Sequence, residues 1–129
     1  MNFDRNVLDE LTQRAKESPR LRMNLDLRNS PEDGSQRMLN ALEPGTVLSI
    51  HRHMSTSETV AILRGRAVQY LYDDEGRETG SVLLEAGGEI PAMQVEIGQW
   101  HRLEALESGT VIVEFKNGRY EPIGPEDIL

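Results

Sequence analysis

The chain has no cysteine, one tryptophan, two phenylalanines and only 14 basic residues among 129, and each shortage removes a class of function. Without thiols there is no disulfide framework, no thiolate nucleophile and no cysteine-type zinc site, so any metal must be held by nitrogen and oxygen. The 22 acidic residues outweigh the 14 basic ones for a formal charge of −8, and no basic stripe offsets them. Such a surface repels nucleic-acid phosphates, and no nucleic-acid partner is expected. No apolar run approaches the roughly 18 residues that span a bilayer, and Met1–Asn6 lacks the basic and apolar regions of a signal peptide. A soluble cytoplasmic protein with no membrane partner is the expectation. A mass of 14.5 kDa accommodates one compact domain, taken as residues 1–129.

Periodicity divides the chain in two. Phe3, Val7, Leu8, Leu11 and Ala15 recur at helical spacing until Ser18-Pro19, because the residue before proline avoids the α region. This predicts an amphipathic helix ending at Glu17, within residues 1–17. The remainder is short and punctuated by Ser30–Gly34, Glu43-Pro44-Gly45, Asp73–Gly76, Ala86-Gly87-Gly88 and Lys116-Asn117-Gly118. Between these turns, strands are expected at Gln36–Leu42, Val47–His53, Thr59–Leu63, Ala67–Tyr72, Ser81–Leu84, Glu89–Ile97, Trp100–Leu106 and Thr110–Lys116. Short strands at close spacing make an all-β antiparallel sandwich or barrel, with its core over residues 36–117.

All three histidines fall in one pattern. In a strand side chains alternate, so His51 and His53 project from one face while Arg52 points away. The polar turn Met54-Ser55-Thr56-Ser57 would return the next strand antiparallel, with Glu58 beside the histidine pair and Val60 and Ile62 forming an apolar floor. His101 must then arrive from a non-local strand, with Leu103 and Ala105 on its face and Trp100 and Arg102 on the other.

Gly45, His51, His53, Glu58 and Gly65 resemble the first cupin motif at every specified position. Such a match arises by chance around a given histidine on the order of once in 10⁵. The second cupin motif is met at Gly98 and His101 but departs from the pattern at Ile90, Glu96 and Ala105. Further stretches, among them Ser18–Asn24, Gln36–Leu42, Leu63–Arg66, Gly98–His101 and Glu114–Pro122, are similar to WbuC-type cupin-fold metalloproteins, a likeness covering nearly the whole chain. Gly118-Arg119-Tyr120 stands where that family has Gly-Pro-Tyr. The resemblance implies a small cupin jelly roll, a double-stranded β-helix barrel carrying an N-terminal helix, with the metal in its mouth. It also implies an association with bacterial surface-polysaccharide biosynthesis and a homodimer, and supplies no established reaction.

Three neutral imidazoles and a carboxylate leave a divalent ion with a charge of about +1 and, in an octahedral site, two open positions. Zinc, iron, manganese, nickel and cobalt all accept His51, His53, Glu58 and His101. A Lewis-acid ion would polarise a carbonyl or bring the pKa of water towards about 7, whereas iron would activate dioxygen, so an isomerase- or epimerase-like and a dioxygenase-like enzyme are both open. No catalytic residue beyond the ligands is identified. The ligand or substrate is expected to be a small polar metabolite such as a sugar or sugar-nucleotide derivative. The rival is a non-catalytic module in which a metal or small ligand stabilises the barrel or signals occupancy. A metal-free epimerase-like enzyme with histidine as base is disfavoured by the clustering of all four ligand-type residues. Because ligation needs neutral imidazoles, metal should be lost below roughly pH 6.

Other residues have blander roles. Trp100 is expected to pack in the core or a dimer contact. Arg20, Arg22, Arg37, Arg64 and Arg66 should be solvated or paired with carboxylates, leaving one or two at most for an anionic substrate. Tyr70, Tyr72 and Tyr120 are expected in core or rim packing.

Overall fold

A computed structural model describes residues 1–129. Helix α1 (Arg5–Glu17) starts after Asp4, whose side chain accepts the Val7 N–H at 3.0 Å, and carries Arg14 and Lys16 in its last turn, where cations oppose the helix dipole. Phe3 therefore precedes the helix. Eight strands follow: β1 (Arg22–Asp26), β2 (Ser35–Leu42), β3 (Glu58–Arg64), β4 (Arg66–Tyr72), β5 (Glu78–Glu85), β6 (Ala92–Val95), β7 (Trp100–Ala105) and β8 (Thr110–Asn117). They form two antiparallel sheets, ordered β1-β2-β8-β3-β6 and β5-β4-β7, and this all-β jelly roll with an N-terminal helix is the expected architecture.

The alternation of apolar residues sorts two cores. Leu42, Val60, Ile62, Ala67, Leu84, Leu103, Ala105 and Ile112 fill the space between the sheets. On the opposite face of β2 and β8, Leu39, Ala41, Val111 and Val113 pack against Leu8, Leu11 and Ala15 of α1. Fully burying one such leucine is worth about 1.5–3 kcal/mol, which is how so short a helix holds its place.

Gly65 alone links β3 in one sheet to β4 in the other. It has φ +86°, and a Cβ there would stand 2.4 Å from Thr110 Oγ1 and 2.8 Å from Thr110 Cα. Only glycine allows the chain to change sheets so close to β8.

Three local expectations are corrected, and one strand, β1, had not been expected. Val47–His53 is not a strand: only His51 pairs, as an isolated bridge to His101 on one side and Ile128 on the other. Strand character in that segment depends on partners distant in sequence, which local alternation cannot report. Glu89–Ile97 contracts to β6, because Gly87-Gly88 and Pro91 interrupt pairing. β1 had no strong alternation to announce it and forms by pairing along β2. β8 runs on one residue past the expected Thr110–Lys116, through Asn117, so the turn expected to start at Lys116 starts later.

Candidate metal centre

Three elements deliver the four ligand-type residues. Glu58 opens β3 in the larger sheet, while His101 lies on β7 in the smaller one. His51 exchanges both backbone hydrogen bonds with His101, its N–H reaching the His101 carbonyl at 3.1 Å and the return bond measuring 2.9 Å. His53 follows two residues later, its carbonyl accepting the Gly98 N–H at 2.8 Å. The expected antiparallel return of Glu58 onto the histidine segment does not occur, since β3 pairs with β6 and β8. Residues 54–57 instead cross from one sheet to the other, so the carboxylate faces the imidazoles across the barrel mouth.

One ligand atom from each of His51, His53, Glu58 and His101 lies within 4.8 Å of the others. The rings are close: centroids of His51 and His101 are 4.3 Å apart, His51 and His53 5.0 Å, and His53 and His101 5.5 Å. His51 Nδ1 donates to the Ser49 carbonyl at 2.9 Å and His101 Nδ1 to the Gln99 carbonyl at 2.8 Å. A carbonyl only accepts, so each Nδ1 carries the proton and each Nε2 presents a lone pair. A backbone carbonyl holding Nδ1 in this way fixes the tautomer and orientation of a metal-binding imidazole.

Nε2 of His53 and of His101 are buried without a hydrogen-bond partner. Glu58 Oε2 stands 3.0 Å from His53 Nε2 and 3.7 Å from His101 Nε2, and neither contact has hydrogen-bond alignment. Short separation without alignment is expected when lone pairs converge on a third point. Buried polar atoms without partners are costly, and a divalent cation would satisfy this nitrogen and oxygen set, so the residues present fit a metal ion.

The electrostatics agree with that fit. Burial above all, and the facing His101, lower His51 to about pKa 4, against the raising effect of the Ser49 carbonyl. His51 is consequently neutral and free to ligate near pH 7. Burial by itself would raise Glu58, but the adjacent His101 and His53 imidazoles hold its carboxyl well below the usual range.

The outer face of the histidine segment is clamped. Arg52 Nε donates to Asp127 Oδ1 at 2.8 Å, and its guanidinium lies 4.5 Å from the centre of the Trp100 ring. Trp100, 5% exposed, donates from Nε1 to Asp74 at 3.1 Å and faces away from His101 as alternation predicts. The tail holds the same segment through the Asp127 carbonyl, which accepts the Arg52 N–H at 3.1 Å, and through the Leu129 N–H, which donates to Ile50 at 2.9 Å. This tail carried no sequence signal.

Most arginines set aside as solvated or paired behave so. Arg37 pairs with Asp33, Arg64 with Asp9, and Arg66 lies near Glu85 and Glu107, while Arg22 donates to the Val47 carbonyl and Arg20 is exposed. Tyr72 is buried, Tyr70 packs beneath Arg102 at 5.0 Å, and Tyr120 sits exposed at the rim of the mouth. That rim encloses a cavity of about 850 Å³ whose lining includes His53, Lys116, Arg119 and Tyr120. Lys116 and Arg119 were not anticipated as site residues, although Lys116 shares the inward parity of Ile112.

Fold and site together define a cupin-type jelly roll with a metal-ligand constellation at its mouth. The chain belongs to the family described as Domain of unknown function (DUF6016), whose model matches residues 3–84. Among curated proteins, none matches the sequence. Solved structures share the fold at low identity. KdgF from Halomonas sp. is 16% identical with a TM-score of 0.62, over 80% of this chain and 84% of that one. CapF, a capsular polysaccharide assembling protein from Staphylococcus aureus, is 19% identical with a TM-score of 0.67, over 82% of this chain and 29% of its own. Oxalate decarboxylase from Bacillus subtilis, described with Mn(II) centres, is 22% identical with a TM-score of 0.57, over 78% of this chain and 26% of that one. The chain thus spans under a third of the latter two. No helix is long and apolar enough to cross a membrane.

Proposed function

We propose that the chain is a single cupin domain over residues 1–129, with its barrel core at 36–117, that binds a divalent metal ion through His51, His53, Glu58 and His101 and acts on a small polar metabolite. The observation that carries this reading is the convergence of four ligand atoms within 4.8 Å, with two imidazole Nε2 atoms buried and unpartnered. Zinc, iron, manganese, nickel and cobalt all suit the donor set, and the Mn(II) centres of the oxalate decarboxylase are consistent with it. A bound ion would supply Lewis acidity or, if redox-active, electron transfer.

The chain's own residues have separable tasks in this reading. His51 and His101 offer Nε2 because backbone carbonyls hold their Nδ1 protons. Glu58 brings the negative charge, and the Arg52–Trp100 stack fixes the segment that carries two of the imidazoles. The cavity beside His53 gives a small molecule access, which favours ligand turnover or sensing over a closed structural site.

A sugar or sugar-nucleotide substrate in surface-polysaccharide biosynthesis is supported by the WbuC-type resemblance and by the capsular role stated for CapF. Homodimerisation and a cytoplasmic location complete the proposal. Elemental analysis of protein purified without added metal tests its foundation. Near-stoichiometric metal is expected in the wild type, with at least tenfold weaker binding in Glu58→Ala and His101→Ala. Unchanged binding in either variant removes that residue from the ligand set.

A further inference from the structure

The cavity at the barrel mouth has an electrostatic imbalance on its inner wall. Lys116 on β8 is the direct register partner of Glu58 on β3 and of Gln36 on β2. Neighbouring strands lie about 5 Å apart and paired side chains share a face, so Lys116 stands in the barrel mouth one strand from the carboxylate ligand. It is half-buried, lines the cavity of about 850 Å³ together with His53, and makes no ion pair within 4.0 Å.

Arg119, three residues on, lines the same cavity and is likewise unpaired. Arg52, the third cation on this wall, is already held by Asp127 at 2.8 Å. The remaining carboxylates on the cavity wall, Glu121 and Glu126, are exposed on the tail. In a chain of net charge −8, two cations left unpaired on one concavity are unusual company for a metal centre.

Glu58 does not relieve the imbalance. Its charge is directed at the imidazoles, with Oε2 3.0 Å from His53 Nε2, and in the metal-bound protein it would serve the ion. A divalent ion balanced by Glu58 leaves about one positive charge, to which Lys116 and Arg119 each add another, while Glu114, two residues from Lys116 on the same face of β8, offsets at most one of these. The mouth therefore favours an anion. Lysine offers a compact point charge and arginine a planar fork, and both are suited to oxyanions.

We propose that Lys116 and Arg119 form an anion subsite beside the metal centre, which makes the substrate a small organic oxyanion: a carboxylate or a phosphate ester rather than a neutral sugar. This rests on the metal-centre reading and narrows its substrate class. Lys116 holds the anionic group near the inner wall, while Arg119 adds a second contact at the rim. The cavity volume falls in the range of small-molecule sites, so the remaining body of such a metabolite has room.

The test compares glycerate, glycerol 3-phosphate and glycerol by isothermal titration into protein whose metal content has been measured beforehand. At least one of the two anions should bind with an affinity that falls as salt rises, and glycerol should not. Whichever anion binds better identifies carboxylate or phosphate ester as the group recognised. Lys116→Met should weaken that anion about tenfold or more at unchanged metal content, Lys116→Arg should stay within about threefold of wild type, and the exposed Arg119→Gln should lose about two- to threefold. Equal affinity in wild type, Lys116→Met and Arg119→Gln, or binding of neither anion, overturns the subsite. Should Lys116→Met fail to fold, the Arg119→Gln and salt-dependence measurements decide it. Failure of the metal reading shows separately as absent metal before any titration, and the same variants then judge the subsite in the metal-free protein.

Discussion

Replacing Glu114 by glutamine should expose an acid sensitivity that the wild-type protein conceals. Glu114 faces the barrel interior from β8, beside the row that contains Glu58 and Lys116. Burial chiefly, and the charge of Glu58, push its carboxyl up to about 7, against the opposite pull of Lys116 and Asn40. His51 moves the other way, from 6.5 to about 4.

In the metal-free protein these shifts oppose each other. As pH falls from 6.5 towards 4, the unfolded chain takes up a proton at His51 that the folded chain refuses, and stability falls by up to about 3 kcal/mol. Between 7 and 4.5 the folded chain holds a proton at Glu114 that the unfolded chain lacks, so stability rises on acidification by a similar amount. Glu58, whose folded pKa is depressed, keeps its contribution above about 4.5 and loses it only below. Urea titrations of chelator-treated protein, followed by Trp100 fluorescence, should therefore be nearly flat from pH 7 to 4.5 in the wild type. In Glu114→Gln the same interval should cost about 2–3 kcal/mol. Parallel profiles for the two proteins would refute the compensation.

Three further outcomes follow from the geometry. Gly65→Ala should lose at least about 3 kcal/mol of stability in the same assay, because the new Cβ meets the backbone of Thr110 at a positive φ. Arg52→Ala should weaken metal binding by roughly 10–100-fold in competition with a chromophoric chelator, since the orientation of the His51–His53 segment is lost while every ligand remains. Arg52→Lys should recover only part of this, because lysine lacks the planar group that stacks on Trp100.

The sequence was most informative where chemistry and periodicity coincide. His51, His53, Glu58 and His101 were legible because imidazoles are rare and their spacing is specific, and the alternation from Glu58 to Ile62 correctly placed the apolar floor. Gly65 was legible as a motif position, but the reason for it, contact with Thr110, is a tertiary fact. The strand reading of Val47–His53 failed because its pairing is supplied by His101 and Ile128, residues with no local imprint. Lys116 was obscured by its neighbours Asn117-Gly118, which resemble a turn, and only register with Glu58 reveals its importance. Arg52 and Trp100 could be assigned to the outer face, whereas their mutual stacking could not.

The crossing of residues 54–57 from one sheet to the other has a kinetic meaning. Glu58 belongs to one sheet and His101 to the other, so neither sheet alone can assemble the donor set. His51 meets His101 only after the intervening strands have closed a long loop, a contact of the slow, non-local kind. If the proposed metal reading holds, loading is a late event in the life of each molecule, and the ion captured is whichever competes best for an already assembled barrel.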